Sequence, residues 1–172
     1  LQMAFGSIRD LSLIETAFPG VPWVFIYRDP VEVIVSNMRQ PGAQMIPAAI
    51  EKIFPGMNVF EILQFSMEER FARTIAAFCQ AALENADRAR RKFINYDQLP
   101  AAVTGEICEH FGVAFSDEEK EKMKIASNFN AKTPSEKFSP DSEQKRQEAN
   151  AEIVKFAREF VTPLYEKLEE LR

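Results

Sequence analysis

The sequence predicts an α/β domain, a short parallel β-sheet flanked by helices, with a helix-rich C-terminal half. Three observations predict it. Trp23-Val24-Phe25-Ile26-Tyr27 is a continuous apolar run, β-branched and aromatic, too short for a helix and consistent with a strand covered on both faces. Lys92-Phe93-Ile94-Asn95-Tyr96 reads as a second internal strand. Around these runs, apolar residues recur at helical spacing, and strands separated by helices pair in parallel.

In order along the chain, Leu1 to Phe5 is short and apolar and is broken by Gly6-Ser7. A helix is expected over 8–18, with Leu11, Ile14 and Phe18 on one face and Pro19-Gly20 as its stop. Strand, helix, strand makes a right-handed βαβ crossover the default. Arg28 ends the Trp23–Tyr27 run, and Asp29-Pro30 punctuates it. Pro30 suits a first helical position, with Asp29 as N-cap and Glu32 completing a capping box for a helix over 30–39. This corner leaves a cation at the carboxyl end of a strand, where open α/β sheets bind ligands. Arg28 can present bidentate donors to a phosphate, and Ser36, about two turns along, can add a hydroxyl. The competing reading pairs Arg28 with Asp29 or a surface glutamate and leaves Ser36 merely polar.

The segment 43–65, with Met45, Met57, Phe54, Phe60 and Phe65, either lines an acceptor pocket or lid or simply covers the sheet. Ser66 and Glu69 form a second capping box, opening a helix to about Ala86 with Phe71, Ile75, Phe78, Cys79 and Ala82 inward. The basic cluster Arg88 to Lys92 suits a helix C-terminus and is given a structural role. Asp97 is expected to cap a helix from Leu99 to Phe111, which Gly112 closes. His110 receives no catalytic role. Ser116 and Glu119 start a charged helix to about Ala126. Asn128 to Asp141 is a polar loop holding Lys132, Thr133, Ser135 and Lys137, the donors a phosphate loop needs, or else a solvated linker. Ser142 to Phe160 reads as one long amphipathic helix, with Ile153, Phe156 and Phe160 inward and Pro163 ending or kinking it.

Composition bounds the function. A chain of 172 residues with 46% hydrophobic and 27% charged residues is one globular domain with a real core. A net charge of −5 argues against a general nucleic-acid binder. Cys79 and Cys108 have no metal-ligand spacing, so no metal is expected, and a reduced cytoplasmic setting is expected over a disulfide framework. No run reaches the apolar length of a membrane span.

Tyr27-Arg28-Asp29-Pro30 followed by Val31-Glu32-Val33-Ile34-Val35-Ser36 resembles the 3′-phosphate-binding segment of sulfotransferases that use 3′-phosphoadenosine-5′-phosphosulfate (PAPS). Phe18 to Trp23 is similar to the approach to this strand in bacterial members. The resemblance implies a P-loop-NTPase-like fold in which Arg28 and Ser36 hold the 3′-phosphate. Asn95-Tyr96-Asp97-Gln98-Leu99 resembles the family's adenine-site segment, which implies that Tyr96 contacts the base. Ala131 to Ser135 is similar to the late loop that folds over the 3′-phosphate, which implies contacts from Lys132 and Ser135. The Lys-x-His base of many members has no counterpart at Gln2 to Ser7, so the base is unassigned.

None of the six glycines sits in a phosphate loop, and the resemblance covers the latter part of the family's domain. Residues 1–172 are therefore read as a single partial sulfotransferase domain, the 3′-phosphate and adenine half of the fold, weakly active or inactive alone. Its partners are a nucleotide co-substrate and an unidentified hydroxyl or amine acceptor. An unpaired sheet edge or apolar face invites homodimerisation. The alternatives are a nucleoside-phosphate kinase-like transferase and a non-catalytic helical interaction module.

Overall fold

The computed structural model describes residues 5–42, 54, 56–129, 135, 137 and 139–172, for residues 5–7 without their side chains. A 3-10 turn, Phe5–Asp10, runs into helix α1, Leu11–Ala17, in place of one regular helix over 8–18. Strand β1, Trp23–Tyr27, leads through Arg28 and Asp29 into α2, Pro30–Arg39. A short helix α3, Val59–Ile62, precedes the long α4, Met67–Glu84, and strand β2, Arg91–Asn95. Beyond it come a 3-10 turn, Tyr96–Gln98, a π-helical stretch, Val103–Ile107, and α5, Cys108–Phe111. Helices α6, Asp117–Ala126, α7, Ser142–Glu148, and α8, Ala151–Phe156, follow. A second π-helical stretch, Ala157–Val161, then joins α9, Thr162–Glu170.

Among the described residues the sheet has two strands, paired in parallel from Trp23 opposite Arg91 to Tyr27 opposite Asn95. That register places both carboxyl ends side by side. The first apolar stretch adds no described strand, because residues 1–4 lie outside the described residues and Phe5 is in a 3-10 turn. One sheet face presents Phe25, Tyr27 and Phe93 to a core built with α2, α4, α8 and α9, where Ile34, Phe71, Phe93 and Leu168 are fully buried. Burying each such side chain contributes about 1.5–3 kcal/mol. On the other face Ile94 is covered, but Ile26 remains half-exposed.

Local signals account for most helix starts. Pro30 stands at the first turn of α2, and the Asp29 carboxylate accepts from the Glu32 amide at 3.0 Å. Ser66 likewise accepts from the Glu69 amide, and Ser116 with Glu119 forms a complete capping box. The first two boxes are only half made. Glu32 turns to Arg28 and Glu69 to Arg73, because a guanidinium one turn away competes for the carboxylate that would cap the backbone. Gly112 closes α5 at φ 65°, a left-handed conformation that favours glycine.

Two expected helices are interrupted. Asp97 does not cap a helix from Leu99: Asn95 caps a 3-10 turn instead, and the following helix is π-helical until Ile107. The single helix expected over 142–160 breaks at Ala149, where the backbone is extended, and Asn150 caps a new start by accepting from the Ile153 amide at 2.8 Å. Pro163 neither ends nor sharply stops the chain. The π-helical turn just before it absorbs the missing amide hydrogen bond, and α9 continues.

The basic cluster after α4 is not a helix end. Arg88 pairs with Glu15 and donates to Ser12 at 2.7 Å, Arg90 donates to the Gly20 carbonyl at 2.6 Å, and Lys92 pairs with Glu106 at 2.9 Å. These cations fasten α1, the turn before β1 and the 103–107 stretch around β2. His110 Nε2 lies 3.0 Å from the Trp23 carbonyl oxygen, which places the ring proton on that nitrogen and ties α5 to the start of β1.

Candidate functional site

The carboxyl ends of β1 and β2 hand the chain to Arg28 and Tyr96. Because Tyr27 pairs opposite Asn95, the next residue of each strand falls next to its counterpart. The Arg28 guanidinium lies over the Tyr96 ring, 4.5 Å from its centre, a cation–π contact. Two residues named from separate segments of the sequence thus meet at the end where α/β sheets bind ligands.

Arg28 is only partly exposed, and its donors divide into two sets. Nε donates to Glu32 Oε2 at 2.7 Å, across one turn of α2. Nη2 points to α7, 3.1 Å from Ser142 Oγ and 3.4 Å from Asp141 Oδ1. Glu32 is 1% exposed, and a buried carboxylate needs such partners. It receives Arg28 on one oxygen and Arg146 Nη2 at 2.9 Å on the other. The pairing through Nε fixes the plane of the guanidinium and leaves Nη2 toward α7.

Around Asp141 the charges converge. Lys145, 5% exposed, reaches Oδ1 at 2.9 Å, and Arg39 Nη1 reaches Oδ2 at 3.5 Å. Arg39 also holds Glu148 through two nitrogens, at 2.7 and 2.8 Å. Burial raises the Asp141 carboxyl, but the Lys145 hydrogen bond and charge, with Arg28 behind them, outweigh it and hold the group below its usual range.

A second polar cluster lies beneath the strand ends. Tyr27 Oη donates to Glu169, and Asn95 Nδ2 lies 2.8 Å from both Tyr165 Oη and Glu169 Oε1. Burial first, then the Glu169 hydrogen bond and charge, push the Tyr27 phenol far above its ordinary value. Tyr27 therefore stays protonated and acts as a strut between sheet and α9 rather than as a base.

The remaining expected site residues are less closely joined. Ser36 is half-buried on α2, and no hydrogen bond links it to Arg28 among the described residues. Ser135 is exposed in a turn of the late loop, where Phe129 and Lys137 form an antiparallel bridge. Lys132 lies outside the described residues. Most of the Met- and Phe-rich segment does too, although Phe60 on α3 is exposed. Two surface depressions are found elsewhere, one of about 600 Å³ along Ala151 to Glu159 and one of about 280 Å³ between Arg73, Phe160 and Leu164, and Arg28 lines neither.

Sequence reasoning did not single out Glu32 as a partner of Arg28, although its spacing of four residues on a helix was a readable signal. Asp141 and Ser142 had no such signal, since they reach Arg28 only through the packing of α7 on α2; Lys145 pairs with Asp141, four residues before it, rather than with Arg28. Among the described residues no group of three or more His, Cys, Asp or Glu is placed to hold a metal ion, and no helix is long and apolar enough to cross a membrane. Comparison with family models, curated proteins and solved structures finds no match.

Proposed function

We propose that this chain forms the 3′-phosphate and adenine part of a PAPS-dependent sulfotransferase site. The observation that carries this reading is the contact of Arg28 with Tyr96 at the carboxyl ends of two parallel strands. A guanidinium whose Nε is fixed by a buried glutamate and whose Nη2 reaches Ser142 and an aspartate ringed by further cations suits a phosphate. An aromatic ring beside it suits a purine.

In this reading Arg28 binds the 3′-phosphate, Tyr96 packs on the adenine, and Ser36, Lys132 and Ser135 add donors as the late loop closes. Sulfuryl transfer, like phosphoryl transfer, depends on positioning and on stabilising charged oxygens. These residues would orient the nucleotide; the base is unassigned. The acceptor is an alcohol or amine that attacks through its heteroatom. A kinase-like nucleotide transferase would use the same corner but would require Mg²⁺, and an interaction module would bind no nucleotide.

Thermal unfolding with two nucleotides tests the reading. A ligand that binds only the folded chain raises its melting temperature with concentration. Adenosine 3′,5′-bisphosphate is expected to raise it and adenosine 5′-monophosphate to leave it nearly unchanged, because only the former has the 3′-phosphate. Equal shifts, or none, would overturn the assignment of Arg28 to that phosphate.

A further inference from the structure

We propose that Asp141 is a resident counter-anion in a phosphate seat formed by Arg28, Arg39, Lys145 and Ser142, and that a ligand phosphate enters by displacing it. Three cations reach this one carboxylate: Lys145 at 2.9 Å, Arg28 at 3.4 Å and Arg39 at 3.5 Å. The two arginine contacts are long for charged pairs, whereas the same side chains meet Glu32 and Glu148 at 2.7 Å. Arg28 and Arg39 make their short bonds to Glu32 and Glu148, so their nitrogens facing Asp141 are held loosely, and only Lys145 has Asp141 as its close partner. A phosphate brings an extra oxygen and an extra charge, and guanidinium groups match it bidentately.

Two further observations point the same way. Asp141 stands at the N-cap position of α7, where an aspartate ordinarily accepts from the helix's first amides, yet its side chain makes no such bond. It is turned outward to the cations instead. Lys145 is almost wholly buried, and Asp141 is its one acidic partner among the described residues. A buried ammonium needs a counter-charge, so Lys145 keeps an anion in the seat whether that anion is the protein's or the ligand's.

Glu32, Ser36 and Arg39 fall at spacings of four and three along α2, so they share a stripe of that helix, the element on which α7 packs. Asp141 reaches both Arg28 and Lys145, so while its side chain stays in place it occupies Arg28 Nη2. The seat thus regulates access to Arg28. That the phosphate belongs to a nucleotide rests on the function proposed above; the seat itself does not.

Titration of the 172-residue chain with inorganic phosphate and, separately, with adenosine 3′,5′-bisphosphate tests it by calorimetry. Asp141→Asn removes the competing charge and is expected to bind inorganic phosphate about tenfold tighter or more than the unaltered chain, the scale of one charged hydrogen bond. Arg39→Gln, at a partly exposed position, is expected to bind it several-fold more weakly. A cooperatively melting Asp141→Asn that binds no tighter would overturn the proposal. If that variant fails to fold, Arg39→Gln decides: weaker phosphate binding supports the seat, and unchanged or undetectable binding by the parent chain overturns it. Phosphate affinities in the expected order, with the bisphosphate binding no better, would keep the seat and remove the nucleotide reading. Bisphosphate binding indifferent to both substitutions would do the reverse.

Discussion

Arg28 shows how one side chain is given a direction. Its Nε is committed to Glu32, which is buried and receives a second arginine, so the guanidinium plane is set before any ligand arrives. Glu169 plays a similar part below the strand ends, accepting from Tyr27 and Asn95. Burial raises the Glu169 carboxyl, but those two hydrogen bonds, with the charge of Arg172, lower it further, and the net value lies below the usual glutamate range. The sign follows from linkage. Between the folded value and the unfolded one, about 4.3, the unfolded chain binds the extra proton, so stability rises with pH there. The contribution of Glu169 is complete above that window and is lost as pH falls through the folded value. Urea unfolding from about pH 3 to about pH 7 should show Glu169→Gln with a lower midpoint at neutral pH and a flatter acid limb. Parallel acid limbs would mean the carboxylate does not hold the strand ends.

At the scale of elements, the helix caps matter most where packing turns a corner. Asn150 restarts the chain after α7, and its side chain satisfies the Ile153 amide while also reaching Glu68 on α4 at 3.1 Å. Asn150→Ala should cost about 1 kcal/mol, the usual worth of an N-cap, read as a lower denaturation midpoint with unchanged slope. That break was not legible in the sequence, because Ala149 favours helix and the apolar spacing continues through Asn150 to Ile153 and Phe156. The corner from β1 into α2 was legible, since Asp29 and Pro30 act locally and the apolar run before them has the length of a strand. Arg28 and Tyr96 could be named as candidates, but that they touch depends on a strand register between segments far apart in the chain. Asp141 is further still from what a sequence can display. It looks like a loop-end N-cap with Lys145 one turn on, and only the packing of α7 on α2 brings Arg28 and Arg39 to it.

Over the whole molecule, the parallel sheet directs two chain segments to one edge, and α9 braces that edge from below through Tyr165 and Glu169. The core of Phe71, Phe93, Ile34 and Leu168 fixes the sheet against α2 and α4. Over the edge, α7 supplies Ser142 and the charges that meet Arg28. A rigid floor under the strand ends is what the proposed nucleotide-phosphate site requires, since such chemistry depends on position more than on covalent participation. In the proposed function Arg28 Nη2, the nitrogen that faces α7, is the donor a ligand phosphate takes. Calorimetric titration of the unaltered chain and of Arg28→Gln with adenosine 3′,5′-bisphosphate tests it most directly, each chain first being shown to melt cooperatively. Binding heat is expected for the unaltered chain and is expected to be lost in Arg28→Gln. Equal binding by the two chains, or no heat from the unaltered one, would contradict it.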